Sequence, residues 1–269
     1  MFPLGKANEF ALPSLTRICL NSQFSILNSQ FYPMSNDFRF KRFAVVQQLS
    51  AMKVGTDGVL LGAWARLEPC HQRVLDIGTG TGLVALMAAQ RTELWGAEVV
   101  AVEIDEQSAA EAAYNFGASE WSGRLSVVQR AVQEFEDDVR FDHIVTNPPY
   151  FVDSLRSPDK GRTQARHTDS LSFDELARSA ERLLTEGGVV SVVLPADALG
   201  DITLAMARRG LFLARRCDVR SKPTSAPIRV LLEFGRTATK TDHTSLIIYD
   251  GGDYSAEYKA LTKDFYLKF

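Results

Sequence analysis

Short apolar runs and stretches with helical spacing succeed one another along most of the chain. Arg73-Val-Leu-Asp-Ile77, Glu98 to Val102, Leu125 to Gln129, His143 to Thr146 and Gly188 to Leu194 read as short buried strands. Leu83 to Gln90, Gln107 to Ala118 and Leu171 to Leu184 read as helices between them. This alternation predicts a Rossmann-like α/β domain on a mostly parallel sheet. From Leu211 the pattern changes. Leu211 to Val219, Arg229 to Phe234 and Leu246 to Tyr249 read as strands with little helix between them, which predicts an antiparallel C-terminal edge. Ahead of the alternation, Phe38-Arg-Phe-Lys-Arg-Phe43 has period-two spacing and, with Val45 and Val46, predicts a strand. Val59 to Leu67 reads as a short helix with Leu60, Leu61, Trp64 and Leu67 apolar.

Residues 1–33 break from this order. Leu20-Asn-Ser-Gln-Phe24 recurs as Leu27-Asn-Ser-Gln-Phe31 with no apolar face on either side. Such sequence buries too little surface to offset ordering entropy, so residues 1–33 are expected to be a disordered extension and residues 34–269 a single domain. The 269 residues carry 45% hydrophobic and 23% charged side chains, and no run approaches the ~18 apolar residues of a membrane span. Three scattered cysteines form no CxxC pair and suit a reducing cytoplasm. The four histidines lack the spacing of metal ligands, so no metal is expected. A net charge of −3 excludes a protein that coats nucleic acid through its overall field but leaves room for a local basic face. Oligomeric state is not written in the pattern; a monomer is the expectation.

Asp76-Ile-Gly-Thr-Gly-Thr-Gly82 follows the first strand of the alternation. Gly78, Gly80 and Gly82 let the backbone approach a ligand and turn into a helix. The spacing is GxGxG, not the GxGxxG that seats a pyrophosphate. Asp76 would repel a diphosphate and attract a cationic cofactor with an amino group, which S-adenosylmethionine is. Glu103, ending the second strand, stands where an acid can accept from ribose hydroxyls, and Asp105 lies near an adenine pocket in the same scheme. Upstream, Thr56 and Asp57 stand either to close over the cofactor or, for Asp57, to cap the next helix.

Asn147-Pro-Pro-Tyr150 follows the fourth strand directly. Pro148 and Pro149 remove two donors and hold an extended bend. The Asn147 side-chain oxygen and the Pro148 carbonyl can then accept both hydrogens of one planar amino group, orienting its nitrogen toward a methyl donor. Tyr150 offers a face to a planar substrate and Phe151 a second wall.

These residues resemble the bacterial tRNA(Val) (adenine-37-N6)-methyltransferase family. The likeness runs over Phe38 to Phe43, Lys53-Val-Gly-Thr-Asp-Gly-Val-Leu-Leu-Gly-Ala-Trp64, Asp76 to Gly82, Asn147-Pro-Pro-Tyr-Phe151 and Leu261-Thr-Lys-Asp-Phe-Tyr-Leu-Lys268. The resemblance implies a class I methyltransferase that uses S-adenosyl-L-methionine to methylate N6 of an adenine beside the anticodon of a valine tRNA. One departure is Gln129-Arg-Ala-Val132, where many relatives carry an acid that bonds the cofactor adenine; the backbone or Gln133 would serve here.

Residues 153–167 carry Arg156, Lys160, Arg162, Arg166 and His167 directly after the catalytic motif, and are expected to contact RNA phosphates. Arg208, Arg209, Arg215, Arg216, Arg220 and Lys222 form a second basic zone, and Arg39, Lys41 and Arg42 a third. An anticodon-loop base is already unpaired, so extruding it costs less than from a duplex. The same motifs also suit a protein glutamine or an rRNA guanine as methyl acceptor, and a non-catalytic RNA-binding scaffold is the alternative of another class.

Overall fold

The computed structural model describes residues 37–149 and 171–269. The expected extension at residues 1–33 lies outside them, as do Tyr150, Phe151, Arg156, Lys160, Arg162, Arg166 and His167.

A short hairpin opens the described chain, β1 (Phe38–Arg39) and β2 (Ala44–Val45), followed by α1 (Thr56–Trp64). The alternating core is β3 (Arg73–Ile77), α2 (Leu83–Arg91), β4 (Glu98–Glu103), α3 (Glu106–Gly117), β5 (Leu125–Gln129), β6 (Phe141–Thr146), α4 (Phe173–Leu183) and β7 (Leu184–Pro195). Then come α5 (Leu199–Ala207), β8 (Phe212–Arg220), β9 (Pro227–Gly235), β10 (Asp242–Ile247), β11 (Tyr249–Asp250), β12 (Asp253–Tyr254) and α6 (Ala256–Thr262). Eight strands form one sheet in the order β10-β8-β9-β7-β6-β3-β4-β5. The strands β3 to β7 pair in parallel, β9 runs antiparallel to both β7 and β8, and β10 lies parallel to β8. The antiparallel part read from the tail is thus β9, set between two strands of the opposite sense.

Successive residues of the central strands serve opposite faces, as the pleat requires. Val74, Val99 and Ala101 join α1, α2, α3 and α6 in one apolar cluster. Leu75, Ile77, Val100 and Val102 join α4 and α5 in the other. Covered on both sides, these strands read as nearly continuous apolar runs. Helices α3, α4 and α6 start on side-chain caps. Asp105 accepts from Ser108 N (2.8 Å) at α3, and Ser172 and Glu175 form a capping box at α4.

The aromatic–basic stretch is not one strand. Phe40 N donates to Phe43 O (2.8 Å), closing a turn in which both rings are buried and stacked 4.7 Å apart. Burying both rings on one side of a turn outweighs the alternation. Helix α1 also starts earlier than its apolar residues suggest, at Thr56.

Candidate functional site

Chain order reverses beside β3, which lies between β4 and β6. Open α/β sheets bind ligands at such a point, outside the carboxyl ends of the strands. A cleft of about 450 Å³ lies there. It is lined by Asp76 within β3, by Gly78, Thr79, Gly80 and Thr81 after it, and by Asn147 after β6. Residues 52–58 line it too, with Ser221, Ile228, Arg229, Ile248 and Tyr249 from the C-terminal strands.

Local bonds shape the glycine loop. Gly78, Gly80 and Gly82 have φ of 68°, 55° and 85°, the left-handed region that favours glycine. A Cβ on Gly78 or Gly80 would meet nothing within 4 Å, so the loop leaves open space where a ligand would lie. Gly82 differs, since a Cβ there would stand 2.5 Å from Phe116 Cε1. It does not line the cleft and serves packing between α2 and α3.

Asp76 is buried, and its Oδ2 accepts from Thr79 Oγ1 (2.6 Å) and Ala85 N (3.0 Å). Burial pushes its carboxyl up to about 7 against the pull of those two bonds, and the nearby charge of Glu103 adds to the rise. Glu103 accepts from Gly80 N (2.8 Å) and Asp105 N (3.0 Å), so it ties the glycine loop to the turn after β4. It is not among the cleft's lining residues. Asp105 acts as the cap of α3.

The facing segment is pinned from a distance. Glu111, wholly buried on α3, accepts from the main-chain N of Gln48, Leu49 (2.9 Å) and Ser50 (3.0 Å). Asn115, one turn on, accepts from Val46 N (2.9 Å) and donates to Val46 O (2.9 Å) and Thr81 O (2.8 Å). One helix thus holds both the segment before α1 and the glycine loop. Lys53 Nζ closes the segment on the carbonyls of Gln47 (2.6 Å) and Ser50 (2.9 Å). Asp57 is not the cap of α1; Gly55 occupies that position. Instead its carboxylate accepts from Arg229 Nε at 2.8 Å.

Of the residues expected to form the site, Thr56, Asp57, Asp76, Gly78, Gly80 and Asn147 meet at this cleft. Pro148 is buried and Pro149 exposed. Gln133, after β5, is exposed and is not among the cleft's lining residues. The second and third basic zones are largely committed within the fold. Arg215 pairs with Glu233, Arg216 with Asp218, Arg208 with Asp174 and Arg209 with Glu181. Arg42 pairs with Glu93 and Glu120, and Lys41 holds the main-chain oxygens of Lys263 and Phe269. Away from the cleft, near the start of β3, Glu68, Cys70 and His71 bring possible ligand atoms within 4.8 Å of one another. His71 Nδ1 already accepts from Glu68 N (3.2 Å), so its lone pair is taken.

A sequence model of the methyltransferase small domain matches residues 59–201. A tRNA1(Val) (adenine(37)-N6)-methyltransferase of Phocaeicola vulgatus is 48% identical over 231 residues, covering 86% of this chain and 97% of that protein. One of the same name from Photobacterium profundum is 41% identical, covering 87% and 100%. The chain belongs to this family. Among solved structures, a predicted O-methyltransferase from Agrobacterium tumefaciens aligns with a TM-score of 0.60 at 20% identity, over 78% of this chain and 96% of that one. A glycopeptide N-methyltransferase complexed with S-adenosylmethionine aligns at 0.50 and 15%, over 70% and 91%. At that identity the likeness establishes the fold: a class I methyltransferase sheet. Family membership leaves unread the residues that motifs do not mark, and Met52, Ser221, Ile228, Arg229 and Tyr249 are such lining residues. A Gly-Gly pair at 251 and 252 was the one local signal near them.

Proposed function

We propose that this chain transfers a methyl group from S-adenosyl-L-methionine to N6 of adenine 37 in a valine tRNA. The observation that carries the reading is the shared cleft: Asn147, directly after β6, borders the same space as the open glycine loop after β3. The names of the relatives supply the acceptor.

The cleft suits the cofactor. Gly78 and Gly80 leave room for it, Asp76 offers a buried acid to its cationic end, and Thr56 and Asp57 flank it. When bound, S-adenosylmethionine supplies an electrophilic methyl group. Asn147 Oδ1 and the Pro148 carbonyl accept the two amino hydrogens of the adenine and hold its nitrogen in line with that methyl. No strong base is needed, because the nitrogen loses a proton readily once alkylated. Tyr150 stacks on the flipped base, and Phe151, Pro149, Arg156, Lys160, Arg162 and Arg166 line its approach.

Among the described residues no helix is long and apolar enough to cross a membrane. A tRNA-modifying enzyme works where tRNA is, so the cytoplasm is the proposed compartment.

The test is transfer of labelled methyl from S-adenosylmethionine to tRNA from cells lacking the gene, followed by nucleoside analysis. Label in N6-methyladenosine supports the reading. Label in a release-factor protein or in ribosomal RNA instead keeps the amino-methyltransferase chemistry and rejects the tRNA acceptor. Cofactor binding without any S-adenosylhomocysteine formed rejects an enzyme altogether.

A further inference from the structure

An aromatic column ends at the mouth of the cleft. Two of the exposed large hydrophobic side chains among the described residues are aromatic, Phe212 and Tyr249, and of these only Tyr249 borders the cleft. Its ring is 41% exposed. Behind it, Tyr254 stacks at 5.0 Å between centroids and 29° between planes. Tyr258 stacks on Tyr254 at 5.0 Å and 11° and is almost wholly buried. Phe269 braces both from the side, 5.1 Å from Tyr254 and 6.2 Å from Tyr258.

The backbone fixes this arrangement. Tyr249 and Tyr254 are directly opposed across the β11–β12 hairpin. The turn between them contains Gly251 and Gly252, with φ of 59° and 92°, as a two-residue primed turn requires. Tyr249 N donates to Ser221 O (3.0 Å), pinning the hairpin to the end of β8. An aromatic face left partly in water, held against Tyr254, which Tyr258 and Phe269 back in turn, has lost much of its conformational entropy before any ligand arrives. Its neighbours on the rim are of the same kind. Ile228 is 44% exposed, and Arg229 is held beside it by Asp57.

We infer that Tyr249 is a stacking platform for an unpaired base of the RNA substrate, the one next to the base being methylated. The inference rests on the RNA reading of the site. The target adenine needs Asn147, which is half-buried where Tyr249 is exposed, so the more exposed ring meets the neighbouring nucleotide, and every base has a π-face to offer it. Tyr249 is then a substrate-positioning residue that the motifs do not contain.

The test uses the full chain, S-adenosylmethionine and an anticodon stem-loop RNA with 2-aminopurine at each position flanking the target in turn. Wild-type protein is expected to quench one of the two probes on binding. Tyr249→Ala should abolish that quench and raise the KM for RNA by about 5- to 150-fold, the range that loss of a base–aromatic stack produces. Its S-adenosylmethionine affinity should stay within twofold, and Tyr249→Phe should restore both RNA readouts. Three results overturn the inference while leaving the proposed reaction intact: an unchanged KM for RNA in the alanine variant, an equal loss of cofactor affinity, which would put the ring on the cofactor instead, or failure of the phenylalanine variant to rescue. Wild-type protein that methylates no tRNA rejects the proposed reaction, and the inference falls with it.

Discussion

On one side of the cleft the bonds that shape the chain span at most a few dozen residues: Thr79 reaches back three residues to Asp76 and Ala85 nine, Glu103 meets Gly80 across 23 and Asn115 meets Thr81 across 34. On the other, Asp57 is held by Arg229 at a separation of 172, and Gln48 and Ser50 by Glu111 at 63 and 61. The first wall can form once β3, the loop, α2, β4 and α3 come together. The second exists only when the C-terminal strands have joined the sheet, so its cost in loop closure is met by the whole fold. The glycine loop therefore sits on the more local frame, while Thr56, Asp57, Arg229 and Tyr249 sit on the frame that depends on distant contacts.

The seam between the walls carries the largest expected effect. Asn147 directly follows β6 and borders the cleft. Asn147→Ala should lower the single-turnover rate by roughly 10²–10³-fold, as loss of one preorganised polar contact in an active site does. S-adenosylmethionine affinity, read by titration, should move only a few fold. Equal loss of both would make Asn147 part of the frame and erase the division between the walls.

The local wall can be broken by one methyl group. Gly82→Ala combines a left-handed residue, costing about 1–2 kcal/mol, with overpacking against Phe116, costing about 1–3 kcal/mol. Urea denaturation should show the sum, and Phe116→Leu in the same background should recover the packing part alone. Full recovery would mean that the backbone conformation is cheap here.

Buried titrating groups sharpen the comparison through pH. Asp76 is raised to about 7 by burial, so the native state holds its proton where the unfolded chain has lost it. Its contribution is complete below the unfolded value near 4 and declines as pH rises from there to about 7. His143 lies in β6 with Nε2 2.9 Å from Ser191 Oγ, and burial lowers it to about 3. It acts in the opposite sense, contributing fully above the unfolded value near 6.5 and losing that contribution as pH falls toward 3. Between pH 4 and 6.5 the two slopes oppose each other, each at most about 1.4 kcal/mol per pH unit. Asp76→Asn should make stability rise more steeply with pH across this window, and His143→Gln should make it rise less. The same sign for both variants in chemical denaturation would contradict the burial of one of them.

Legibility followed the same division. The strands β3 and β5 fall where their apolar runs begin and end, and the glycine loop and Asn147 were found because glycine spacing and consecutive prolines are local marks. Glu111 and Asn115 were not, because helical periodicity does not distinguish a buried acid that caps a distant loop from one facing water. The aromatic–basic alternation misled because pairing by twos also fits a turn whose rings fold inward, Phe40 on Phe43. Helices α5 and α6 are short and fall where no element was read from the pattern, before Leu211 and after Tyr249. The hairpin that presents Tyr249 did carry a signal, two glycines between tyrosines. What no pattern states is that this hairpin lies against the cleft, since that depends on β8 and β10 pairing far along the sheet.

The smallest effect tests whether the distant wall acts as one unit. Asp57 and Arg229 are partly exposed, so their pair should stabilise the fold by less than about 1 kcal/mol. Each single variant, Asp57→Asn and Arg229→Gln, should therefore unfold at nearly the same urea concentration as wild type. Cofactor affinity is the more telling readout. The pair joins residues 52–58 to the start of β9, and both partners border the cleft. If the contact is what positions that wall, either substitution should weaken cofactor binding by the same few fold, and the double variant should add nothing further. If the effects simply add, each side chain meets the ligand independently, and the distant wall is two surfaces that happen to touch rather than one surface held by a bond.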